Sequence, residues 1–168
     1  MIELKTSGIV ADEAGMIWFI TDIKAPAYWW DAFEHKILKG IGNHGLSLSM
    51  EPIVKNIEEN EFKLSDFSCE FLGVVGTNNL KNTISDLNNQ RWLYLKLKNP
   101  EYKKKYWYAL MQSLPSSYNS CGKFRYSLGS AFVMLRALKP KILGNEYEFK
   151  EFADFFEYLE NLIEGFSL

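Results

Sequence analysis

Between Met16 and Ile23 the chain reads MIWFITDI, an apolar, β-branched and aromatic run with the character of a strand. Lys24-Ala25-Pro26 breaks it, and Pro26 suits the first position of a helix, where no backbone N–H is needed. Tyr28, Trp29, Ala32, Phe33 and Ile37 then recur at helical spacing. A strand feeding directly into a helix, with more helical pattern downstream, predicts an α+β fold: a small sheet with several long helices.

Gly40, Gly42 and Gly45 end the first helix in a polar loop, Ile41 to Met50. Glu51 to Leu72 is irregular, with a turn expected near Glu59-Asn60. Leu80, Ile84, Leu87, Arg91 and Tyr94 mark one face of a long helix ending near Asn99. Asn99-Pro100 reads as an N-cap followed by proline at the first helical position. Leu114 to Asn119 is a break, and Phe124 to Leu138 is predicted as a further helix, stopped before Pro140. Asn145 with Glu148 suggests a capping box opening the last helix, and Gly165 closes it. Phe149, Phe152, Phe156, Leu159 and Ile163, widened by Phe155 and Leu162, make an apolar surface that predicts a second subunit against it.

The 168 residues fit one domain, 1–168, with no internal repeat and no linker in the sequence. A net charge of −2 lacks the footprint of a general nucleic-acid binder, although one nucleotide needs only two or three local cations. No signal-like start and no run approaching the ~20 apolar residues of a membrane span is present, so a cytoplasmic protein with no membrane partner is expected. Cys69 and Cys121 are then reduced. With His35 and His44 they are too scattered for a metal site, and none is expected. Lys103-Lys104-Lys105 reads as a solvated helix face.

Three stretches in order resemble the flavin-dependent thymidylate synthase family. Ile23-Lys24-Ala25-Pro26-Ala27-Tyr28 is similar to its K/R-A-P-x-aromatic segment, which enters a helix carrying an R-H-R triplet; here that position reads Glu34-His35-Lys36. Ser47-Leu48-Ser49-Met50 stands where the family has S-x-R-Y. Leu114-Pro115 matches an L-P after a helix, and Phe132 to Ala137 (FVMLRA) resembles the late F-L-x-L-R segment. Trp29-Trp30 and Leu114 to Asn119 (LPSSYN) are similar to divergent phage-encoded members. The family's H-x-S-x-x-E-H section has no counterpart before Met16.

The resemblance implies Arg136 as a ligand of a uracil nucleotide. Arg125, eleven residues earlier in the expected helix, would share its face and complete a cationic groove. Ser47, Ser49, Ser117 and Tyr118 are further candidates for the nucleotide, and His35, Lys36, Asn43 and His44 for a flavin, FAD in that family. Glu34, in place of an arginine, opposes a phosphate instead of gripping it. The reading is a nucleotide-binding homo-oligomer, dimer or tetramer, phage-encoded, with a degraded flavin motif. Two alternatives stand beside it: an active flavin-dependent methyltransferase acting on a uracil nucleotide, and a non-catalytic phage protein in the host cytoplasm that sequesters a nucleotide or inhibits a host protein.

Overall fold

The computed structural model describes residues 2–41, 46–51, 53, 55–69, 72–145 and 150–165. Four strands, β1 (Glu3–Ala11), β2 (Ile17–Pro26), β3 (Ser47–Glu51) and β4 (Asn119–Ser127), pair antiparallel in the order β1-β2-β4-β3. β1 and β2 form a hairpin whose turn is tied by Asp12. Its carboxylate accepts from the backbone N–H of Ala14 (3.0 Å) and Met16 (2.8 Å) and from Trp18 Nε1 (2.9 Å). Gly15, at φ +77°, supplies the left-handed step that lets the chain reverse.

Strand alternation divides the sheet into two faces. Phe19, Thr21, Ile23 and Ala25 of β2 and Phe124 and Tyr126 of β4 are buried on the helical side. Trp18, Ile20, Asp22 and Lys24 point to the other, beside Cys121, Lys123 and Arg125. The Phe124 to Leu138 stretch is therefore not one helix: its first four residues are strand.

On the covered side, β2 runs into α1 (Ala27–Phe33), which widens into a π-turn at Glu34–Leu38 and tightens again as α2 (Lys39–Ile41). After β3 come α3 (Gly73–Lys96) and α4 (Pro100–Ser113). β4 then repeats the pattern of β2, with α5 (Leu128–Val133), a π-turn at Met134–Leu138 and α6 (Lys139–Leu143). The unit strand, helix, π-turn, helix thus occurs twice although the sequence shows no repeat. The two copies approach closely: a Cβ on Gly40 would lie 3.0 Å from Leu138 Cδ2. The last element is α7 (Glu151–Glu164).

α7 overturns the argument for a partner subunit. Phe152, Phe155, Phe156, Leu159 and Ile163 are all buried in the main core with Trp29, Phe33 and Phe124, so this chain covers the stripe itself. Glu148 and Phe149 lie outside the described residues. A second apolar cluster, with Leu80, Leu87, Leu110 and Tyr118, fills the space between α3, α4 and the 55–69 segment. Here the expected cap is present: Asn99 Oδ1 accepts from Glu101 N (2.9 Å) and Tyr102 N (3.3 Å). Buried Arg91 donates to the carbonyls of Ile57 and Glu58. Tyr28 joins the two clusters, donating its hydroxyl to buried Glu151 (2.9 Å) and lying 3.3 Å from Ser68 Oγ.

Where Trp30 lies against β4, only hydrogen fits at position 122. A Cβ on Gly122 would lie 2.7 Å from Trp30 Cη2 and 2.8 Å from Met50 Sδ. Met50 can swing away, but the Trp30 ring is buried and cannot. Gly122→Ala is expected to cost about 1–3 kcal/mol through overpacking. Urea unfolding followed by tryptophan fluorescence checks this; an unchanged midpoint would mean that the sheet yields at β4.

Candidate functional site

The open face of the sheet is charged across β1, β2 and β4 at one end and apolar at the other. Lys5, Asp22, Lys123 and Ser49 form one cross-strand row, with Lys123 Nζ 2.7 Å from the Asp22 carboxylate. The next row brings Ile20, Arg125 and Ser47 side by side, and beyond it Trp18 pairs with Ser127. Arg125 lays its guanidinium over the Trp18 indole, 4.7 Å from the ring centroid. The indole N–H is held by Asp12, whose carboxyl sits below the usual range chiefly because of that bond, with Met16 N–H adding to it. One ring is thus fixed by its edge and covered on a face by a cation.

Next to this ring, a cleft of about 610 Å³ opens where the sheet meets α5. Met16, Trp18, Ile41 and Val133 give it apolar walls; Ser127, Gly129 and Ser130 form the remaining side. Ser127 caps α5, accepting the Ser130 N–H at 3.1 Å, and the two hydroxyls lie 3.0 Å apart. The volume suits a nucleotide base with part of its sugar, the usual size of a small-molecule site.

Arg125 is not on the helix of Arg136; it is an exposed strand residue beside Ser47. Arg136 lies in the second π-turn, exposed, with its guanidinium 5.6 Å from the Phe132 ring. No described carboxylate pairs with it, so it is not a desolvated guanidinium anchored in the core. It lies three residues beyond Val133, about one turn from the cleft wall. His35 and Lys36 occupy the first π-turn, and Lys36 is third in its turn as Arg136 is in the other. His35 Nδ1 is 2.9 Å from Lys39 Nζ. π-turns inside helices recur at functional sites, and this pair flanks the crossing at Gly40.

Ser49 is on the open face but one row further from the cleft than Ser47. Ser117 and Tyr118 are separated from the cleft by the length of β4, nine residues or roughly 30 Å. The Tyr118 ring is buried between Phe62 and Phe67, and the Ser116, Ser117 and Tyr118 carbonyls accept from Tyr28, Ser68 and Ala27 N–H. That segment splices the two cores together and is removed from the group around Arg125. Asn43 and His44 lie outside the described residues.

Sequence reasoning missed Met16, Trp18, Ser127 and Ser130. Trp18 was legible as the outward member of the alternation in MIWFITDI, and Ser127 as a cap once β4 is separated from α5. A smaller hollow of about 260 Å³ on the open face contains Cys121. Burial pushes its thiol up, which leaves it protonated at neutral pH and a poor nucleophile. Among the described residues no three side chains of metal-ligand type cluster, and no helix is long and apolar enough to cross a membrane.

The architecture belongs with α+β folds in which a helix-covered antiparallel sheet leaves its other face open. Solved structures of the flavin-dependent thymidylate synthase of Helicobacter pylori with FAD and dUMP share it, at 17% and 18% identity and a TM-score of 0.50 in both cases. The similarity covers 85% of this chain but only 65% and 66% of those chains. The fold is thus flavin-dependent thymidylate synthase-like. No protein-family model and no curated protein sequence matches the chain.

Proposed function

We propose that the protein binds a nucleotide in the cleft beside Trp18, with Arg125 and Arg136 supplying the positive charge. The observation that carries this is the Arg125–Trp18 pair: an indole for stacking a base, and a guanidinium on the same open face to meet phosphate. Ser47, next to Arg125, offers a hydroxyl to the same group. The fold neighbours support the ligand class, since their structures contain FAD and dUMP. A uracil nucleotide is the first choice, because a flavin dinucleotide would need a surface longer than this cleft.

Binding without catalysis is favoured. Glu34 is exposed on the first π-turn, where the resemblance places an arginine, and it would repel a flavin phosphate. If FAD binds, His35, Lys36, Asn43 and His44 are the residues of this chain proposed to hold it. A homo-oligomer is part of the proposal, now supported by exposed Ile9 and Val10 on edge strand β1 and not by α7. A phage origin, with the protein acting on host nucleotide pools, fits the WW and LPSSYN segments.

The test is calorimetric titration of the purified protein with deoxyuridine monophosphate, thymidine monophosphate and FAD. A monophosphate is expected to bind with a micromolar constant, and Arg136→Ala to weaken it roughly tenfold, the effect of one lost charge-assisted contact. If no nucleotide binds the wild type, the reading fails. Tighter binding of FAD than of either monophosphate, with a yellow protein, would favour the enzyme.

A further inference from the structure

The hairpin between the end of α3 and the start of α4 carries a positive charge that the overall balance conceals. Six of the chain's 19 lysines and arginines lie between Arg91 and Lys105, with one of its 21 acidic residues, Glu101. Arg91 is buried and bonded to backbone carbonyls, which leaves Lys96, Lys98, Lys103, Lys104 and Lys105 for the surface. One of these, Lys103, has a carboxylate partner, Glu58 at 3.0 Å.

Aromatic rings are interleaved with these lysines. Trp92, Tyr102 and Tyr108 are 57%, 56% and 54% exposed, far more than rings that serve a core. Each has an ammonium near its ring centroid: Lys96 5.5 Å from Trp92, Lys105 5.7 Å from Tyr102 and Lys104 5.9 Å from Tyr108. At about 100° per residue, Lys104, Tyr108 and Lys105 lie on the side of α4 that faces away from buried Leu110, and Tyr102 lies at that side's edge, about 80° from Leu110. A groove of about 290 Å³ between the helices adds Tyr94 and Trp107, with Lys103 4.7 Å from the Tyr94 ring.

We propose that the exposed surface of the α3–α4 hairpin binds single-stranded nucleic acid, stacking bases on Trp92, Tyr102 and Tyr108 while the neighbouring lysines contact phosphates. The chemistry is that of a sequence-tolerant stacking platform, in which π-faces take bases and flexible cations follow the backbone. A membrane-binding helix gathers its apolar residues on one side with lysines at the flanks. Here lysine and ring alternate around the same surface, and charge complementarity selects a polyanion. The surface is separate from the cleft of the proposed function and does not depend on it.

Fluorescence anisotropy with fluorescein-labelled 20-nucleotide oligo-dT and oligo-U at 50 mM NaCl tests this on the full chain. Micromolar binding is expected, with a slope of log K against log salt of about −3.5 if all five lysines engage. Combined Trp92→Ala, Tyr102→Ala and Tyr108→Ala should weaken binding at least tenfold with an unchanged circular dichroism spectrum, and Lys104→Glu with Lys105→Glu should also flatten the slope. Deoxyuridine monophosphate at millimolar concentration should not compete. No anisotropy change at 50 μM protein would overturn the proposal, as would variants that bind like wild type. Binding to phosphatidylserine vesicles with the oligonucleotides left free would make the surface a membrane contact, and competition by the mononucleotide would move the site to the cleft.

Discussion

Trp29→Ala is expected to be the most damaging single substitution in the chain, costing about 3–5 kcal/mol, the range for removing a fully buried large aromatic. The Trp29 ring is completely buried and is the hub of the main core. It stacks on Phe33 at 4.7 Å, meets Trp30 edge-on at 5.1 Å, and touches Phe152 at 5.5 Å and Phe155 at 6.1 Å. Truncation would open a cavity bounded by α1 and α7, whose rings cannot collapse without leaving the sheet. Against a total stability of about 5–15 kcal/mol, such a loss brings the protein close to unfolding at ambient temperature. The Trp29 Nε1–H is buried with no hydrogen-bond partner among the described residues. Trp29→Phe removes that desolvated donor along with part of the ring, and the two effects oppose each other. Urea denaturation should therefore place Trp29→Phe near wild type, within about 2 kcal/mol, and Trp29→Ala far below it. If the two variants lose the same stability, the hub is elsewhere and the ring contacts are incidental.

The core was readable where local chemistry and tertiary packing agree. Asn99-Pro100 marks a helix start through its own backbone geometry, whereas Lys24-Ala25-Pro26 does not break β2: the strand runs through Pro26, which is the extended N-cap of α1 and not its first helical residue. β4 was misread because Phe124, Leu128, Ala131 and Leu135 also fall at three-four spacing, which continues the true helix backwards. Only the inward sequence Gly122, Phe124, Tyr126 against outward Lys123 and Arg125 betrays the period of two, and the strand becomes unambiguous once β2 pairs with it. β1 escaped notice because an edge strand with one polar face carries a weak pattern, and its core-side members include Thr6, which bonds Tyr158 at 2.6 Å. Ser47 and Arg125, expected in a loop and on a helix, instead meet across the β3–β4 strand pair. The width of the α7 stripe could not reveal whether this chain or another copy covers it, since burial on two sides has the same pattern in both cases.

Arg125→Ala should weaken binding of a uracil monophosphate roughly ten- to a hundredfold while leaving stability within about 1 kcal/mol of wild type. The two effects separate because the guanidinium is exposed: its contact with Trp18 is worth only about 0.5–1 kcal/mol, whereas a charge-assisted bond to phosphate is worth about 1.5–3. Asp12 keeps the indole in place through Nε1, so the ring does not fall into the cleft when the cation is removed. Arg125→Lys retains the charge but loses the planar fork that can both stack on Trp18 and grip two phosphate oxygens, so its affinity should lie between the other two. Trp18→Ala should remove the stacking surface and reduce affinity at least as much, though part of that loss will come with a loosened β1–β2 turn, since Asp12 also ties Ala14 and Met16. The discriminating quantity is thus the ratio of binding loss to stability loss, read from calorimetry and urea melts on the same preparations. Equal affinity of Arg125→Ala and wild type for every nucleotide tested would exclude the Trp18 cleft as the phosphate site. An undiminished affinity there, together with a deficit in Arg136→Ala, would instead locate the site at the π-turns where Gly40 and Leu138 cross.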